Sequence, residues 1–211
     1  MSVLSRRSIV SCVVLSGLFV ALAGAAPAVT NDKGLADALR AGGFVIVVRH
    51  GATFAAGAEM DPLHPEKNAD QRQLNDKGKA QAKAFGDALR QTKIPVGKVY
   101  TSDLNRAYET AVLAGFTDIE KTADLAEGGS AVSPKENRRR AEALRKLLAT
   151  PPKPGSNTIL VTHKPNIVDA LGEDWHDVSE GEASIFRPEN GTAKLVARVQ
   201  MDEWARIAAA K

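Results

Sequence analysis

The sequence predicts an α/β fold of three layers (α/β/α), with a mostly parallel central sheet and an antiparallel hairpin at one edge. Three observations favour this class. Short apolar runs alternate along the chain with longer segments of helical periodicity. The runs at 44–48 and 158–162 are apolar throughout, as in strands that are covered on both faces. The pair Asn190-Gly191 separates two later strand-like runs and is a strong signal for a hairpin turn.

The N-terminal part of this fold is predicted to be a helix, a strand and a long loop. Asn31 can cap a helix that continues to Arg40 and stops at the two glycines that follow. The apolar strand at 44–48 comes next. Residues 52–73 lack periodicity and contain two prolines, which predicts a long loop. Loops of this length in compact domains are usually functional or disordered.

The middle of the chain is predicted to be a helix over 74–92, a strand over 96–102 and a second helix. Asp103 is the expected cap of that second helix, and Gly115 is expected to end it. The helical spacing of the 74–92 segment places five apolar residues on its buried face: Ala80, Ala84, Phe85, Ala88 and Leu89.

The C-terminal part alternates again between strands and helices. A helix over 133–150 has three start signals, with Ser133 as cap, Pro134 in the first turn and Glu136 as the capping-box partner. The other predicted elements are strands at 119–125, 158–162, 183–187 and 193–199 and helices at 165–171 and 202–209.

Residues 1–28 are predicted to be a secretory signal peptide, which leaves one domain over 29–211. Two arginines precede an apolar run, and small residues suited to cleavage follow it. The run is shorter than the roughly 20 residues that cross a bilayer, so a permanent anchor is the alternative reading. The only cysteine, Cys12, lies in this segment, and the domain therefore has no thiol chemistry. We expect a periplasmic or secreted protein whose mature chain is not inserted in a membrane.

Basic and acidic residues nearly balance once the signal peptide is set aside. This composition gives no reason to expect a nucleic acid as partner.

Two histidines and two arginines are predicted to meet at one edge of the sheet. Arg49 and His50 follow the strand at 44–48, and His163 follows the strand at 158–162. Arg106 lies in the first turn of the helix after the 96–102 strand. Ligands of such sheets bind outside the carboxyl ends of the strands. Two guanidinium groups and two imidazoles around one point would bind a doubly charged oxyanion, most plausibly phosphate.

Four segments carry a resemblance to a known family. The stretches "VRHGAT" (48–53), "LNDKGKAQA" (74–82), "TSDLNRAYETA" (101–111) and "LVTHKPNI" (160–167), in this order, resemble the histidine phosphatase superfamily, which has the phosphoglycerate mutase-like fold. The resemblance implies that His50 is a nucleophile that forms a phosphohistidine. It also implies that Arg49, Arg106 and His163 complete the phosphate pocket.

The chemistry of such a site is consistent with these residue types. A histidine attacks phosphorus only as neutral imidazole, and two neighbouring guanidinium charges favour that form. The same charges stabilise the transition state of phosphoryl transfer, so no metal or other cofactor is expected. The remaining histidines, His64 and His176, have no partner at a metal-binding spacing.

Cleavage of an alkyl phosphate also requires an acid that protonates the leaving oxygen, and the sequence offers two candidates. Glu182 follows a glycine just before the first hairpin strand, and exported bacterial relatives often have a similar Gly-Glu there. Glu127 lies between the Arg106 helix and His163, in the region that supplies the acid in the mutase branch. Of the two, Glu182 is the favoured candidate.

The sequence therefore predicts an exported, metal-independent phosphomonoesterase of the short bacterial branch, acting through phosphohistidine on His50. The expected partner is a small phosphorylated substrate, with an envelope sugar phosphate as one candidate. Two alternatives stay open. One is a non-catalytic phosphate-binding protein of the same fold, and the other is a protein phosphohistidine phosphatase.

Overall fold

The computed structural model describes residues 31–54, 71–127 and 132–210. The predicted signal peptide, Cys12, His64 and most of the predicted 52–73 loop lie outside the described residues. Among the helices of the described ranges, none combines the length and apolar character needed to cross a bilayer.

A six-stranded mixed sheet forms the centre of the molecule. Its strands are β1 (Val45–Arg49), β2 (Val96–Thr101), β3 (Ile119–Lys121), β4 (Asn157–Thr162), β5 (Ala183–Glu189) and β6 (Thr192–Val199). The order across the sheet is β3-β2-β4-β1-β5-β6. The first four strands in this order are parallel, whereas β5 and β6 are antiparallel to their neighbours. The predicted fold class is confirmed, with the antiparallel hairpin at one edge.

Six α-helices of the described ranges cover the two faces of this sheet. They are α1 (Asp32–Ala41), α2 (Asp76–Gln91), α3 (Asn105–Leu113), α4 (Pro134–Ala149), α5 (Lys164–Leu171) and α6 (Trp204–Ala209). Alternate side chains of β1 enter two separate apolar cores, because successive strand residues point to opposite faces. Ile46 packs with residues of α1, α2, α3 and α6, and Val47 packs with residues of α4 and α5. The uniformly apolar strand thus lies between two helical layers.

The hairpin turn has the conformation that its sequence predicts. Asn190 and Gly191 both have positive φ, at 49° and 77°. A two-residue turn of this kind matches the twist of the strands that it joins, and asparagine and glycine adopt positive φ at low cost. The turn sets the register of β5 and β6.

Three local predictions are wrong. Asp103 does not cap α3, whose N-cap is Leu104 without a capping side chain; the Ser102 hydroxyl accepts the Leu104 N–H instead. The predicted strand at 119–125 ends at Lys121, and a 3₁₀ turn follows. On α2, Ala80 and Ala84 are exposed, and the buried face includes Ala82 and two glycines instead.

Candidate active site

Three parallel strands end at one edge of the sheet, and the residues after them form the candidate site. His50 follows β1, Ser102 follows β2 and His163 follows β4. The rings of His50 and His163 lie with their centroids 5.1 Å apart. Arg106 Nε, from the first turn of α3, is 3.3 Å from His50 Nε2. As predicted, His50, Arg106 and His163 lie together at this edge of the sheet, while their chemical roles stay predictions.

The His50 ring is buried and held in one orientation. Only 1% of the residue is exposed, and its backbone N–H donates to the Thr162 carbonyl at 3.0 Å. Nδ1 is 2.8 Å from the Gly51 carbonyl oxygen, which can only accept, so Nδ1 carries the ring proton. The Nε2 lone pair accepts a hydrogen bond from Arg106 Nε at 3.3 Å. Burial, and then the Arg106 charge, lower the pKa of His50 well below 6.5. The ring is neutral at pH 7.

Close packing against α2 fixes the turn after His50. The Gly51 N–H donates to Thr110 Oγ1 of α3 at 3.1 Å, and the Ala52 N–H donates to Gln81 Oε1 at 3.2 Å. At Gly78, in the first turn of α2, a Cβ atom would lie 2.0 Å from the Ala52 carbonyl oxygen. Only glycine permits this approach, which explains why a glycine occurs in the first turn of a helix.

Arg49 is oriented by the loop that precedes β5. Its Nη1 donates to the Val178 carbonyl at 2.7 Å, and its Nη2 lies 3.6 Å from Glu180 Oε1. Glu180 also accepts a hydrogen bond from the Thr53 hydroxyl at 3.0 Å. Burial lowers the pKa of Arg49, and the Glu180 charge opposes that shift. The side chain is 16% exposed, so it keeps limited access to solvent.

Arg106 is a buried cation that pairs with Glu127. The residue is 1% exposed, and its Nη2 donates to Glu127 Oε1. Burial lowers the pKa of Arg106, whereas the charge and the hydrogen bond of Glu127 raise it. An anion that bound here would compete with the Glu127 carboxylate for the same guanidinium.

His163 completes the cluster from the start of α5. It is fully buried, and its Nε2 lies 2.6 Å from Ser102 Oγ. Within the described part of the chain its Nδ1 has no hydrogen-bond partner, and Glu127 Oε2 is 3.8 Å away. Burial, followed by the charge of Arg106, lowers the pKa of His163 well below 6.5. A neutral ring with one unpartnered nitrogen therefore faces the acidic side chain.

The structure brings only one of the two predicted acids into this cluster. Glu127 contacts Arg106 and lies beside His163. Glu182 is fully buried elsewhere, and both of its carboxylate oxygens are occupied. Arg198 Nε donates to one oxygen, and the Gln200 amide (2.7 Å) and the Ser179 N–H (3.1 Å) donate to the other. The preference for Glu182 is at odds with this geometry, because its carboxylate is committed to the loop and to β6.

The comparisons with known proteins bear on the same residues. The family model for the histidine phosphatase superfamily (branch 1) matches residues 45–130. This range contains Arg49, His50, Arg106 and Glu127. Residues 45–130 are thus similar in sequence to the histidine phosphatase superfamily. The second histidine of the candidate site, His163, lies beyond the matched range and reaches the site because β4 pairs with β1.

Solved structures of several phosphatases share the fold of this chain at low sequence identity. The protein histidine phosphatase SixA, complexed with tungstate, is 15% identical, with a TM-score of 0.55 over 76% of this chain and 98% of its own. A candidate alpha-ribazole-5'-P phosphatase from Escherichia coli K-12 is 16% identical, with a TM-score of 0.56 over 76% and 98%. A phosphoserine phosphatase from Entamoeba histolytica, in complex with 3-phosphoglyceric acid, is 16% identical, with a TM-score of 0.51 over 75% and 98%. Among curated proteins, the sequence has no match.

Three residues near this candidate site were not predicted from the sequence. The Arg72 charge contributes to lowering the pKa of His50 and of His163. Ser102 contacts the second histidine, and Glu180 adjoins Arg49. Ser102 could have been found, because it directly follows a strand that ends at the ligand edge.

The described ranges contain no group of three His, Cys, Asp or Glu side chains that could bind a metal.

Proposed function

We propose that this protein is an exported phosphatase that hydrolyses phosphomonoesters through a phosphohistidine on His50. The observation that carries the proposal is the His50 ring. Its Nδ1 donates to the Gly51 carbonyl, so Nε2 carries the lone pair, which accepts a hydrogen bond from Arg106 Nε at 3.3 Å. A bound phosphate would take that donor and release the lone pair for attack. A neutral nucleophile beside fixed cations is what attack on a phosphate dianion requires.

In the first step, the substrate phosphate binds between Arg49, Arg106 and His163. His50 Nε2 forms a bond to phosphorus as the bond to the leaving oxygen breaks. The two guanidinium groups stabilise the charge on the equatorial oxygens, and burial makes that stabilisation stronger than it would be in water. The leaving oxygen takes a proton and departs as an alcohol.

In the second step, a water molecule attacks the phosphorus of the phosphohistidine. The water loses a proton to the group that gave one in the first step, and the bond between phosphorus and Nε2 breaks. Inorganic phosphate leaves, and His50 returns to its neutral form. Each group then has its starting protonation state.

Glu127 is the general acid and base of this proposal. Its carboxylate contacts Arg106, and it lies 3.8 Å from His163 Nδ1, so it is at the point where the phosphate group would bind. A phosphate that occupied the Arg106 guanidinium would free the Glu127 carboxylate, which takes up the proton that a phosphate monoanion brings into the site and then gives it to the leaving oxygen. Glu182 has no comparable freedom, because three donors hold its oxygens.

The chemistry proposed here uses only side chains of the chain itself. Arg49 and Arg106 supply the positive charge that a metal ion provides in other phosphoryl-transfer enzymes. We therefore propose activity without a metal or another cofactor. The related structures support an oxyanion site in this fold, since SixA is complexed with tungstate and the phosphoserine phosphatase with 3-phosphoglyceric acid.

The location and the substrate class of the proposal depend on the sequence. The signal-peptide pattern at 1–28 supports export to the periplasm or beyond, without membrane insertion of the mature chain. That location favours a small envelope phosphate, such as a sugar phosphate, over nucleic acid or cytosolic phosphoproteins.

Protein phosphohistidine phosphatase activity is the second candidate, favoured by the likeness to SixA. Phosphohistidine has a good leaving group and needs less help from an acid. Non-catalytic phosphate binding is the third candidate, but a buried and oriented nucleophilic ring has no purpose in that function.

A substrate panel tests these candidates. Phosphate release from a sugar phosphate, p-nitrophenyl phosphate and a phosphohistidine peptide is measured in EDTA for the full chain, for His50→Ala and for His176→Ala. His176 is exposed and serves as the matched control. We expect turnover of both phosphomonoesters, loss in His50→Ala and retention in His176→Ala. Turnover of the peptide alone would favour the second candidate, and vanadate binding without any turnover would favour the third.

A further inference from the structure

Ser102 is a fully buried serine between the end of β2 and the start of α3. Its backbone N–H donates to the Val161 carbonyl at 3.1 Å, which fixes it against β4. Its hydroxyl oxygen lies 2.6 Å from His163 Nε2 and accepts the Leu104 N–H at 3.2 Å. The hydroxyl thus links the first turn of α3 to the second histidine of the site.

The hydrogen-bond partners of the Ser102 hydroxyl determine whether it is the donor or the acceptor in the bond to His163 Nε2. The Leu104 N–H can only donate, so the oxygen already accepts one bond. If His163 Nε2 also donated to it, the hydroxyl hydrogen would have no acceptor among the described residues at a fully buried position, which is costly. The satisfied arrangement has the Ser102 O–H donating to Nε2. His163 then carries its proton on Nδ1.

The proton on Nδ1 points to the substrate side of the ring. Nδ1 has no hydrogen-bond partner within the described ranges, and the nearest carboxylate oxygen, Glu127 Oε2, is at 3.8 Å. An N–H at this place can donate to a phosphate oxygen that lies between Arg106 and the two histidines.

We infer that Ser102 is a positioning residue that fixes His163 in the Nδ1–H tautomer, so that His163 donates to the phosphate. Both histidines then have the same tautomer but opposite roles. His50 presents the Nε2 lone pair to the phosphorus, because its Nδ1–H donates to the Gly51 carbonyl. His163 presents its Nδ1–H to a phosphate oxygen, because its Nε2 lone pair accepts the hydrogen bond from the Ser102 hydroxyl. The catalytic meaning of this arrangement rests on the proposed phosphatase function.

The tautomer can be measured without any assay of activity. The full chain is labelled with ¹⁵N-histidine, and ring nitrogens are correlated with ring protons by NMR near neutral pH, where the ring is neutral. The chain has four histidines, and the signals of His163 and His50 are assigned by their loss in His163→Gln and His50→Asn. We expect His163 to show a protonated Nδ1 in the wild type. In Ser102→Ala we expect the protonated form at Nε2 to become populated.

Ser184→Ala is the matched control for this change. Ser184 is a buried serine of β5 whose hydroxyl has no hydrogen-bond partner among the described residues. Its removal should leave the His163 signals in place. A protonated Nε2 in the wild type, or an unchanged Nδ1–H pattern in folded Ser102→Ala, would overturn the inference. The wild-type measurement decides even if Ser102→Ala fails to fold.

Kinetics then separate a positioning role from a purely structural one. Loss of a partner that orients a metal-ligating histidine typically costs about tenfold to hundredfold in affinity or activity. By analogy, we expect a loss of about that size in kcat/KM when Ser102→Ala removes the partner of a phosphate-binding histidine. Ser102→Thr, which keeps the hydroxyl, should recover most of the loss. A lower Tm with unchanged kcat/KM would contradict the positioning role. Absence of phosphatase activity in the wild type would remove the proposed function while leaving the tautomer result intact.

Discussion

Replacing Glu182 with glutamine should destabilise the protein without changing its chemistry. The carboxylate is fully buried and accepts bonds from Ser179, Arg198 and Gln200. The amide group of glutamine brings donors to a place where all three partners are donors. It also removes the charge that balances Arg198.

The size of the effect follows from the burial of the two partners. Removing one member of a buried ion pair typically costs about 3–5 kcal/mol, because the other charge is left unpaired. Arg198 is 27% exposed, however, and keeps Asp177 at 2.8 Å. We therefore expect a smaller loss of about 2–3 kcal/mol in the free energy of unfolding. For a domain of this size, that corresponds to a Tm lowered by about 4–12 °C.

The assay compares Tm and the ratio of two rates in Glu182→Gln and Glu127→Gln. Glu127→Gln should slow sugar-phosphate hydrolysis by about 10²–10⁴-fold and p-nitrophenyl phosphate hydrolysis much less, because only an alkoxide needs protonation as it leaves. Glu182→Gln should lower Tm and leave the ratio unchanged. A loss in Glu182→Gln that depends on the leaving group, with an unchanged Tm, would refute the reasoning and restore Glu182 as the acid.

Three further predictions concern pH, charge and packing. The pKa values of His50 and His163 are lower in the folded than in the unfolded chain, so the unfolded chain binds more protons below about pH 6.5. The free energy of unfolding should therefore be fully retained above about pH 6.5 and decrease progressively as the pH falls toward the pKa values of the folded state. A free energy of unfolding that does not change over this range would contradict the prediction. Arg106→Lys removes the Nε–H and the planar fork, and kcat/KM should fall by about 10²–10³-fold, whereas near wild-type rates would show that any cation suffices. Gly78→Ala should lower Tm and activity together, because its Cβ would collide with the backbone carbonyl two residues after His50, whereas Gly34→Ala in α1 should fold normally.

The strand-end residues could be predicted because their positions depend on backbone periodicity. Apolar runs locate β1 and β4, and parallel strands place their carboxyl ends at one edge of the sheet, so His50 and His163 were expected at that edge. The direct pairing of β1 with β4 then makes them neighbours. Arg106 follows in the same way from the first turn of α3. These predictions depend only on where the preceding strand ends and not on the direction of any side chain.

The choice between the acids could not be predicted, because it depends on cross-strand neighbours. Ser184 pairs with Arg198 across β5 and β6, so Arg198 reaches Glu182 and occupies its carboxylate. That register is set by the hairpin turn and by an irregularity between Ile185 and Phe186. The sequence shows a glutamate after a glycine, but it does not show which arginine will lie opposite.

Arg72 could not be predicted as a neighbour of the site, for a different reason. It lies in an aperiodic segment before α2, where no repeating pattern links sequence position to a place in the fold. In the structure, the Arg72 charge contributes to lowering the pKa values of both site histidines, His50 and His163. At Asp103 the local pattern was present but was not used. Aspartate is a good capping residue, yet the buried Ser102 hydroxyl accepts the hydrogen bond from the Leu104 N–H instead.

Trapping the covalent intermediate tests the central claim most directly. The full chain is mixed with a labelled phosphomonoester and quenched within one turnover under alkaline conditions, which preserve phosphohistidine, and the modified peptide is located by mass spectrometry. We predict an acid-labile phosphoryl group on the peptide that contains His50, attached at Nε2, and its absence in His50→Ala. Phosphate on the His163 peptide, or full turnover by His50→Ala, would contradict the account.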